Sequence, residues 1–456
     1  MSVSRVTNWP DHLANNWGTV DEREEPAGKD GDGREALYGG QTRRALANFD
    51  FRGPRLHDHP DLIRALALVK IAAARANRRL GSLAPEVADA VIAAAREVQQ
   101  GSHDGQFPLP VLQGGGGTST NMNVNEVVAR RATQLLRGRG SESAVHPNNH
   151  VNRGQSTNDV MPTAIALAVH SASTRTVESL DRLADACRAK AGEYPETERL
   201  GRTCLQDAVA LPVASLHRSH AYGIGQAADE LRTTVRALLK VPLGATAVGT
   251  GLGAAPGFSA AAVAELAEVS GCPVEAAEDP YWALASLEPF VAVSEAVDRC
   301  ARSAARIATD LRLLASGPVG GIGEIELPAV QAGSSIMPGK VNPVIPELMM
   351  QMSFQIAGEA ASARAAAAVG ELEVSAMAPV VTLGLLGGLE RLDSGARIFA
   401  DRCIAGLRWN ADAVRANLAG SLTQAVVAAG SEGYDAIARR AHTAPHTTYA
   451  GADELS

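Results

Sequence analysis

Aromatic side chains make up only 4% of this 456-residue chain, with 7 Phe, 6 Tyr and 4 Trp. So few rings argue against a β-sandwich core, and the abundance of Ala, Leu and Val suits closely packed helices. Cysteine is scarce as well. Cys187, Cys204, Cys272, Cys300 and Cys403 are scattered, odd in number and never in a Cys-x-x-Cys pair. That pattern speaks against a disulfide framework and for free thiols in a reducing cytoplasm. No run of five or more Lys and Arg occurs, and the formal net charge is −8. Nucleic acid and anionic membranes are therefore not expected as partners, and an anionic ligand must be held by a local site. Long apolar runs are missing too. The N-terminus is acidic and polar through Asp32, and Ala378 to Leu389 is too short and too glycine-rich to span a bilayer. A soluble, cytoplasmic protein is expected.

What the chain does contain is helical text. A length of 456 residues predicts two or three domains. Residues 1 to about 55 read as an irregular arm. From Pro60, Leu62, Leu66, Val69 and Ala73 mark one helical face, and Val87, Val91 and Ala94 mark another from about Pro85 to Gln100. Helix resumes at Val124 and ends near Gly138. Long helical runs then follow at about 159–193, 210–240, 282–316, 344–370 and 377–408. Their length predicts a bundle, and Ala-rich stretches such as Ala360 to Val369 permit close approach. Such helices expose more apolar face than five of them can cover, which predicts a homo-oligomer. The division expected is 1–158, an N-terminal domain with the arm and short helices, 159–409, the long bundle, and 410–456, a small C-terminal domain.

The segment Gly333-Ser334-Ser335-Ile336-Met337-Pro338-Gly339-Lys340-Val341-Asn342-Pro343 stands apart from this background. Two hydroxyls, a cation, an amide, two glycines and two prolines suit neither helix nor strand. They describe a loop with donors aimed at an anion. Three further segments share its character: Gly117 to Asn123, His146 to Asn152 leading into Gln155 to Asp159, and Gly201 to Asp207. Each lies just before a long helix in this reading. Any one of them is adequately explained by helix capping, because Ser, Thr, Asn and Asp are the preferred N-caps. Four together are harder to explain that way, and a donor-rich lining at helix N-termini suits carboxylates.

In this order and spacing, the four segments resemble the fumarase/aspartase superfamily from roughly Tyr38 to Gly430. The Gly-Ser-Ser-x-Met-Pro-x-Lys-x-Asn loop is the most specific element. Asn121-Met122-Asn123-x-Asn125-Glu126, Gln155-Ser156-Thr157-Asn158-Asp159, Leu205-Gln206-Asp207-Ala208-Val209 and Asp310-Leu311-Arg312-Leu313-Leu314 look most like the aspartate ammonia-lyase branch. The resemblance implies a mainly α, three-domain fold. Its central five-helix bundle would form a 20-helix core in a homotetramer, each active site drawing on three subunits. It implies a small dicarboxylate substrate, no cofactor and no metal. The pairs His146/His150 and His217/His220 have helical spacing, but a proline follows His146 and neither pair has a third ligand nearby.

By the same resemblance, Ser334 is the base that removes a proton beside a carboxylate before a group leaves the neighbouring carbon and fumarate is released. A serine can do this only if its alkoxide is stabilised by donors, a cation or a helix end. Thr118, Ser156 and Thr157 match residues that cradle the carboxylate which becomes an aci-carboxylate. Asn158 matches a contact to the leaving amine and Thr203 a contact to the other carboxylate, while Lys340 matches a substrate-carboxylate contact that it shares with Asn342. Ser335 adds a donor from the closed loop. Glu347 and His146 are expected to stand behind the groups that touch substrate.

One position departs from the pattern. The residue after Thr203 is histidine in fumarases and histidine or glutamine in aspartases; here it is Cys204. In fumarases that histidine, with the glutamate matching Glu347, handles water, so hydration is disfavoured. The Gly-Thr-Gly-Leu-Asn motif also becomes Gly249-Thr250-Gly251-Leu252-Gly253. The leading expectation is a β-elimination from aspartate or a close 2-substituted succinate. A sister lyase with another leaving group or a substituted aspartate comes next, then a class II fumarate hydratase. Outside enzymes, a catalytically inactive structural homologue is the alternative, against which the retained Ser334, Lys340, Asn342, Thr118 and Asn158 speak.

Overall fold

The computed structural model describes residues 35–419 and 423–443. Its helices in chain order are α1 (Gly40–Asn48), α2 (Pro60–Arg79), α3 (Pro85–Gln99), α4 (Thr118–Gly138), α5 (Thr157–Glu193), α6 (Val213–Ala237) and α7 (Phe258–Ser270). After them come α8 (Pro280–Ala285), α9 (Glu288–Leu314), α10 (Val344–Ala367), α11 (Ala378–Phe399), α12 (Ala411–Ala419), α13 (Thr423–Glu432) and α14 (Tyr434–Thr443). Strand among the described residues is confined to two-stranded pieces. The longest is a hairpin of β1 (Glu198–Thr203) and β2 (Gln206–Pro212), and β3 (Ile325–Glu326) pairs with β4 (Arg408–Trp409). The chain is thus mainly helical, as expected, and no helix of the described residues is long and apolar enough to cross a membrane.

The chain divides into two units. The first comprises the described residues to Ala164 with Pro242–Ala276, and the second Ile165–Val241 with those from Ala277 onward. In the first, α2 packs on α3 and α7, and α3 on α4. Proline at the first position starts both α2 and α3, where its missing N–H costs nothing. Leu62, Leu66, Val69 and Ala73 are all buried, as their spacing predicts. On α3 the buried face is centred on Ala88, Val91, Ala94 and Ala95, and Val87 is only half-buried. The arm contains a helix that the sequence did not announce. Its start is capped from far away: the Glu126 carboxylate accepts from the N–H groups of Gly39 (2.8 Å), Gln41 (2.8 Å) and Thr42 (3.1 Å). A carboxylate at a helix N-terminus meets unpaired donors and the positive end of the dipole, and no local text reveals it.

In the second unit, α9 packs against α6, α10 and α11, and α10 against α11. Small residues dominate the buried face of α9: Ala301, Ala304 and Ala308 are completely buried beside Ile307 and Leu311. Small side chains let helix axes approach closely, and truncating Leu311 to Ala there should cost about 2–5 kcal/mol. The second half of α5 joins this bundle through Ser179 Oγ, which donates to Asp393 Oδ1 (2.5 Å). Lys190 Nζ donates to the carbonyls of Ala405 (3.1 Å) and Leu407 (2.8 Å).

Three expected boundaries move. The run at 282–316 is two helices, because Pro289 supplies no N–H and can only occupy a first turn. The run at 377–408 ends at Phe399, passes through a π turn at Ala400–Ile404, and finishes in β4. The helix expected from Val124 starts at Thr118, because Gly117 at its N-cap adopts a left-handed φ of 96°. A Cβ at Gly117 would lie 2.9 Å from the Met161 side chain, so glycine is required twice over.

Candidate active site

Two polar constellations emerge, one in each unit. The first is built where α5 begins. His146 caps the π turn Pro147–Val151, its Nδ1 accepting from the N–H groups of Asn148 (3.0 Å) and Asn149 (3.2 Å). The His146 N–H donates to His150 Nδ1 (3.0 Å), and burial lowers the pKa of His150. The chain then reverses at Gly154, with φ of 72°, where a Cβ would press on the Phe258 ring at 3.3 Å.

Ser156 and Asp159 form a reciprocal cap at the start of α5. Ser156 Oγ accepts from Asn158 N–H (3.2 Å), and Asp159 Oδ1 accepts from Ser156 N–H (3.0 Å). The other Asp159 oxygen accepts from Gly244 N–H (3.0 Å) and Thr246 N–H (2.8 Å). Burial pushes the Asp159 carboxyl up to about 7, opposed by these three N–H groups and by the charge of Lys70. Because Ser156 Oγ already accepts, its own hydrogen is free to donate outward.

Beneath this turn lies a fully buried lysine. Lys70 Nζ donates to Asn121 Oδ1 (2.8 Å), Asn152 Oδ1 (3.0 Å) and Gln155 Oε1 (3.0 Å). Asn121 Nδ2 in turn donates to Thr157 Oγ1 (3.1 Å). These amides, Ser156 and Thr157 line a cavity of about 430 Å³. Of the residues expected to bind substrate, Ser156 and Thr157 are therefore together on its wall. Asn158 is half-buried, and its Nδ2 donates to the Ala247 carbonyl (2.7 Å), which leaves Oδ1 as its free acceptor. Thr118 is exposed at the first position of α4 and donates to the Gly115 carbonyl (2.9 Å).

The second constellation has a different construction. Thr203 and Cys204 are not before a helix, as the sequence suggested; they sit at the exposed tip of the β1–β2 hairpin. Cys204 and Leu205 both have left-handed φ, 51° and 61°, which a two-residue hairpin turn requires but which usually selects Asn and Gly. The cost is about 1–3 kcal/mol for each such residue. The hairpin is anchored by Arg202, which donates to both oxygens of buried Glu324 (3.2 and 2.7 Å), while Asn417 Nδ2 donates to the same carboxylate (2.9 Å).

In the loop before α10, Ser334 Oγ accepts from the N–H groups of Ile336 (3.2 Å) and Met337 (3.0 Å). Two backbone donors on one hydroxyl oxygen are the kind of fixed dipoles that stabilise an alkoxide. The loop's base is closed by Gly333 N–H on the Lys340 carbonyl (3.1 Å) and by Asn342 Nδ2 on the Gly333 carbonyl (2.7 Å). A Cβ at Gly333 would lie 2.4 Å from that Lys340 oxygen. Ser335 and Lys340 are exposed. Glu347, in the first turn of α10, faces Arg312 at 3.7 Å. The other histidine pair lies in the core of this unit: Trp409 Nε1 donates to His217 Nε2 (3.0 Å), and His220 Nε2 lies 3.1 Å from Asp310 Oδ2.

Sequence reasoning missed Lys70, Asn152 and the support given by Asp159. Lys70 did leave a signal, since it interrupts the apolar stripe of Leu66, Val69 and Ala73. A charge on a buried face demands partners.

The profile of a family described as Lyase matches residues 28–358. A class II fumarate hydratase from Chromobacterium violaceum is 42% identical over 412 residues, covering 89% of each chain. An aspartate ammonia-lyase from Bacillus sp. is 38% identical over 412 residues, covering 90% of this chain and 88% of its own. The crystal structure of a fumarate lyase:delta crystallin from Brucella melitensis bound to cobalt superposes with a TM-score of 0.87 at 39% identity, covering 92% of each chain.

Proposed function

This chain belongs to the fumarase/aspartase superfamily of lyases, and from that premise we propose that it is a carbon–nitrogen lyase releasing fumarate from L-aspartate or a close amino-substituted succinate. Ser334 is the base. The Ile336 and Met337 N–H groups on its Oγ support an alkoxide there. Ser156 and Thr157, joined by Thr118 once its hydroxyl releases the Gly115 carbonyl, hold the carboxylate beside the abstracted proton, where charge builds up and donors contribute most to the rate. Lys340, Asn342, Ser335 and Thr203 hold the other carboxylate. Asn158 receives the departing amine on the oxygen left free by Ala247.

Cys204 carries the choice of amine over water. It occupies the position where a hydratase of this family uses histidine, and Glu347 faces Arg312 instead of an imidazole. Hydration is the second reading, favoured by the 42% identity to a fumarate hydratase. A homotetramer in a reducing cytoplasm fits both readings. Its active sites would be assembled from three subunits, and the outward faces of α6 and α10 carry Tyr222 and Phe354, 70% and 66% exposed. Light scattering should report four subunits; a monomer that turns over substrate would refute the shared site.

The test of function is direct. Purified protein incubated with L-aspartate should generate fumarate, read by its ultraviolet absorbance, and should be slower with L-malate. Fumarate from malate alone would overturn the amine reading in favour of hydration. Fumarate from neither, nor from a panel of other 2-substituted succinates, would leave an inactive homologue. Cys204→His should raise the malate-to-aspartate rate ratio by about 10²-fold or more, the low end of what a general acid–base group contributes.

A further inference from the structure

We propose that Lys70, which has no surface on the cavity, is a positioning residue that sets the hydrogen-bond polarity of the carboxylate cradle through Asn121 and Thr157. Three amide oxygens converge on Nζ at 2.8, 3.0 and 3.0 Å. An ammonium has three hydrogens to give them, whereas a neutral amine has two and a lone pair that would face the third oxygen. The geometry therefore belongs to the charged form. Burial pulls the Lys70 ammonium down to about 7, with the charge of Asp159 opposing it. Bound carboxylate above the amides favours the charged form further.

The consequence propagates outward. With its oxygen fixed on Lys70, the Asn121 side chain can present only its NH₂ to the cavity side. That group donates to Thr157 Oγ1 (3.1 Å) and Asn152 Oδ1 (3.3 Å). Thr157 Oγ1, now an acceptor toward the protein, has one hydrogen left, and that hydrogen points to whatever fills the cavity. Asn152 and Gln155 are polarised in the same sense: Asn152 Nδ2 donates to the Gln155 carbonyl (3.2 Å) and Gln155 Nε2 to the Val151 carbonyl (3.0 Å). Remove the ammonium and the Asn121 amide is free to turn over. The Thr157 hydroxyl would then donate inward and offer a lone pair to an anion.

This inference rests on the proposed function in one respect, that the ligand is a dicarboxylate, so it is tested by binding and not by turnover. Fumarate is titrated calorimetrically into the wild type, Lys70→Met, Thr157→Val and the double variant. Each single variant is expected to weaken fumarate at least tenfold. The double variant should be no weaker than the worse single one, because Thr157 donates usefully only when Lys70 sets its hydrogen. Independent, multiplying losses would overturn the proposal, as would Lys70→Met binding fumarate like the wild type. A lysine that serves only folding would lower the melting temperature without this coupling. If Lys70→Met does not fold, Asn121→Leu cuts the same relay one step further on and must show the same non-additivity with Thr157→Val. A wild type that binds neither fumarate nor succinate would overturn the proposed function together with this inference. A binding wild type with additive variants would overturn the inference alone.

Discussion

In the first unit, the hydroxyls and amides at the start of α5 rest on two buried ions, Lys70 and Asp159, whereas in the second unit Ser334, Lys340 and Asn342 rest on their own loop's backbone. The cradle is held by long-range bonds: Lys70 to Asn121 is separated by 51 residues and Asp159 to Thr246 by 87. The loop around Ser334 closes over nine residues, between Gly333 and Asn342. Long-range bonds inside a packed core make a rigid receptor, and short-range bonds around glycines make a segment that can move without unfolding its surroundings. The difference suits the proposed roles, a rigid cradle for a carboxylate and a movable loop for the base.

That contrast can be broken most strongly at Ser334. Ser334→Ala should lower fumarate formation by about 10²–10⁴-fold, the range for a lost proton-transfer group, as read by initial rates on L-aspartate. On the cradle side, Thr157→Val removes one donor to a charged group and should weaken fumarate by roughly tenfold to a hundredfold, as read by calorimetry. A loss below twofold would show that the hydroxyl does not face the ligand.

How far the sequence revealed this contrast depends on the range of the interactions. The Ser334 loop was legible because its glycines, prolines and polar residues are consecutive and the bonds that shape it are local. The long helices were legible because amphipathic spacing is a local property, and their ends failed where Pro289 or the π turn after Phe399 intervened. The hairpin carrying Cys204 was not seen, since two non-glycine residues in left-handed conformation carry no turn signature. Helix α1 was missed because its cap, Glu126, comes from α4. The ionic support of the cradle was missed for the same reason, although the bare lysine on an apolar stripe was there to be read.

Smaller perturbations sharpen the comparison. Gly117→Ala forces a left-handed φ on an L residue and a 2.9 Å contact with Met161. It should cost about 1–3 kcal/mol in urea unfolding and weaken fumarate, since both strained partners belong to the first unit. A further effect, read against pH, is expected in the bundle core. Burial, with nearby positive charge, lowers His217 to about 3. The unfolded chain therefore takes up that proton first as pH falls. Stability from the neutral imidazole is complete above its ordinary value of about 6.5 and is lost as pH falls toward 3. Urea midpoints measured from pH 7 to pH 4 should fall in the wild type and fall less steeply in His217→Phe. Equal slopes would remove His217 from the account.

The most direct measurement is the fumarate affinity of the Ser334→Ala protein that has lost turnover. A cradle that binds independently of the base predicts a dissociation constant within about twofold of the wild type, well under the 1.4 kcal/mol that a tenfold change represents. Affinity lost in step with turnover would contradict the proposed separation of cradle from base.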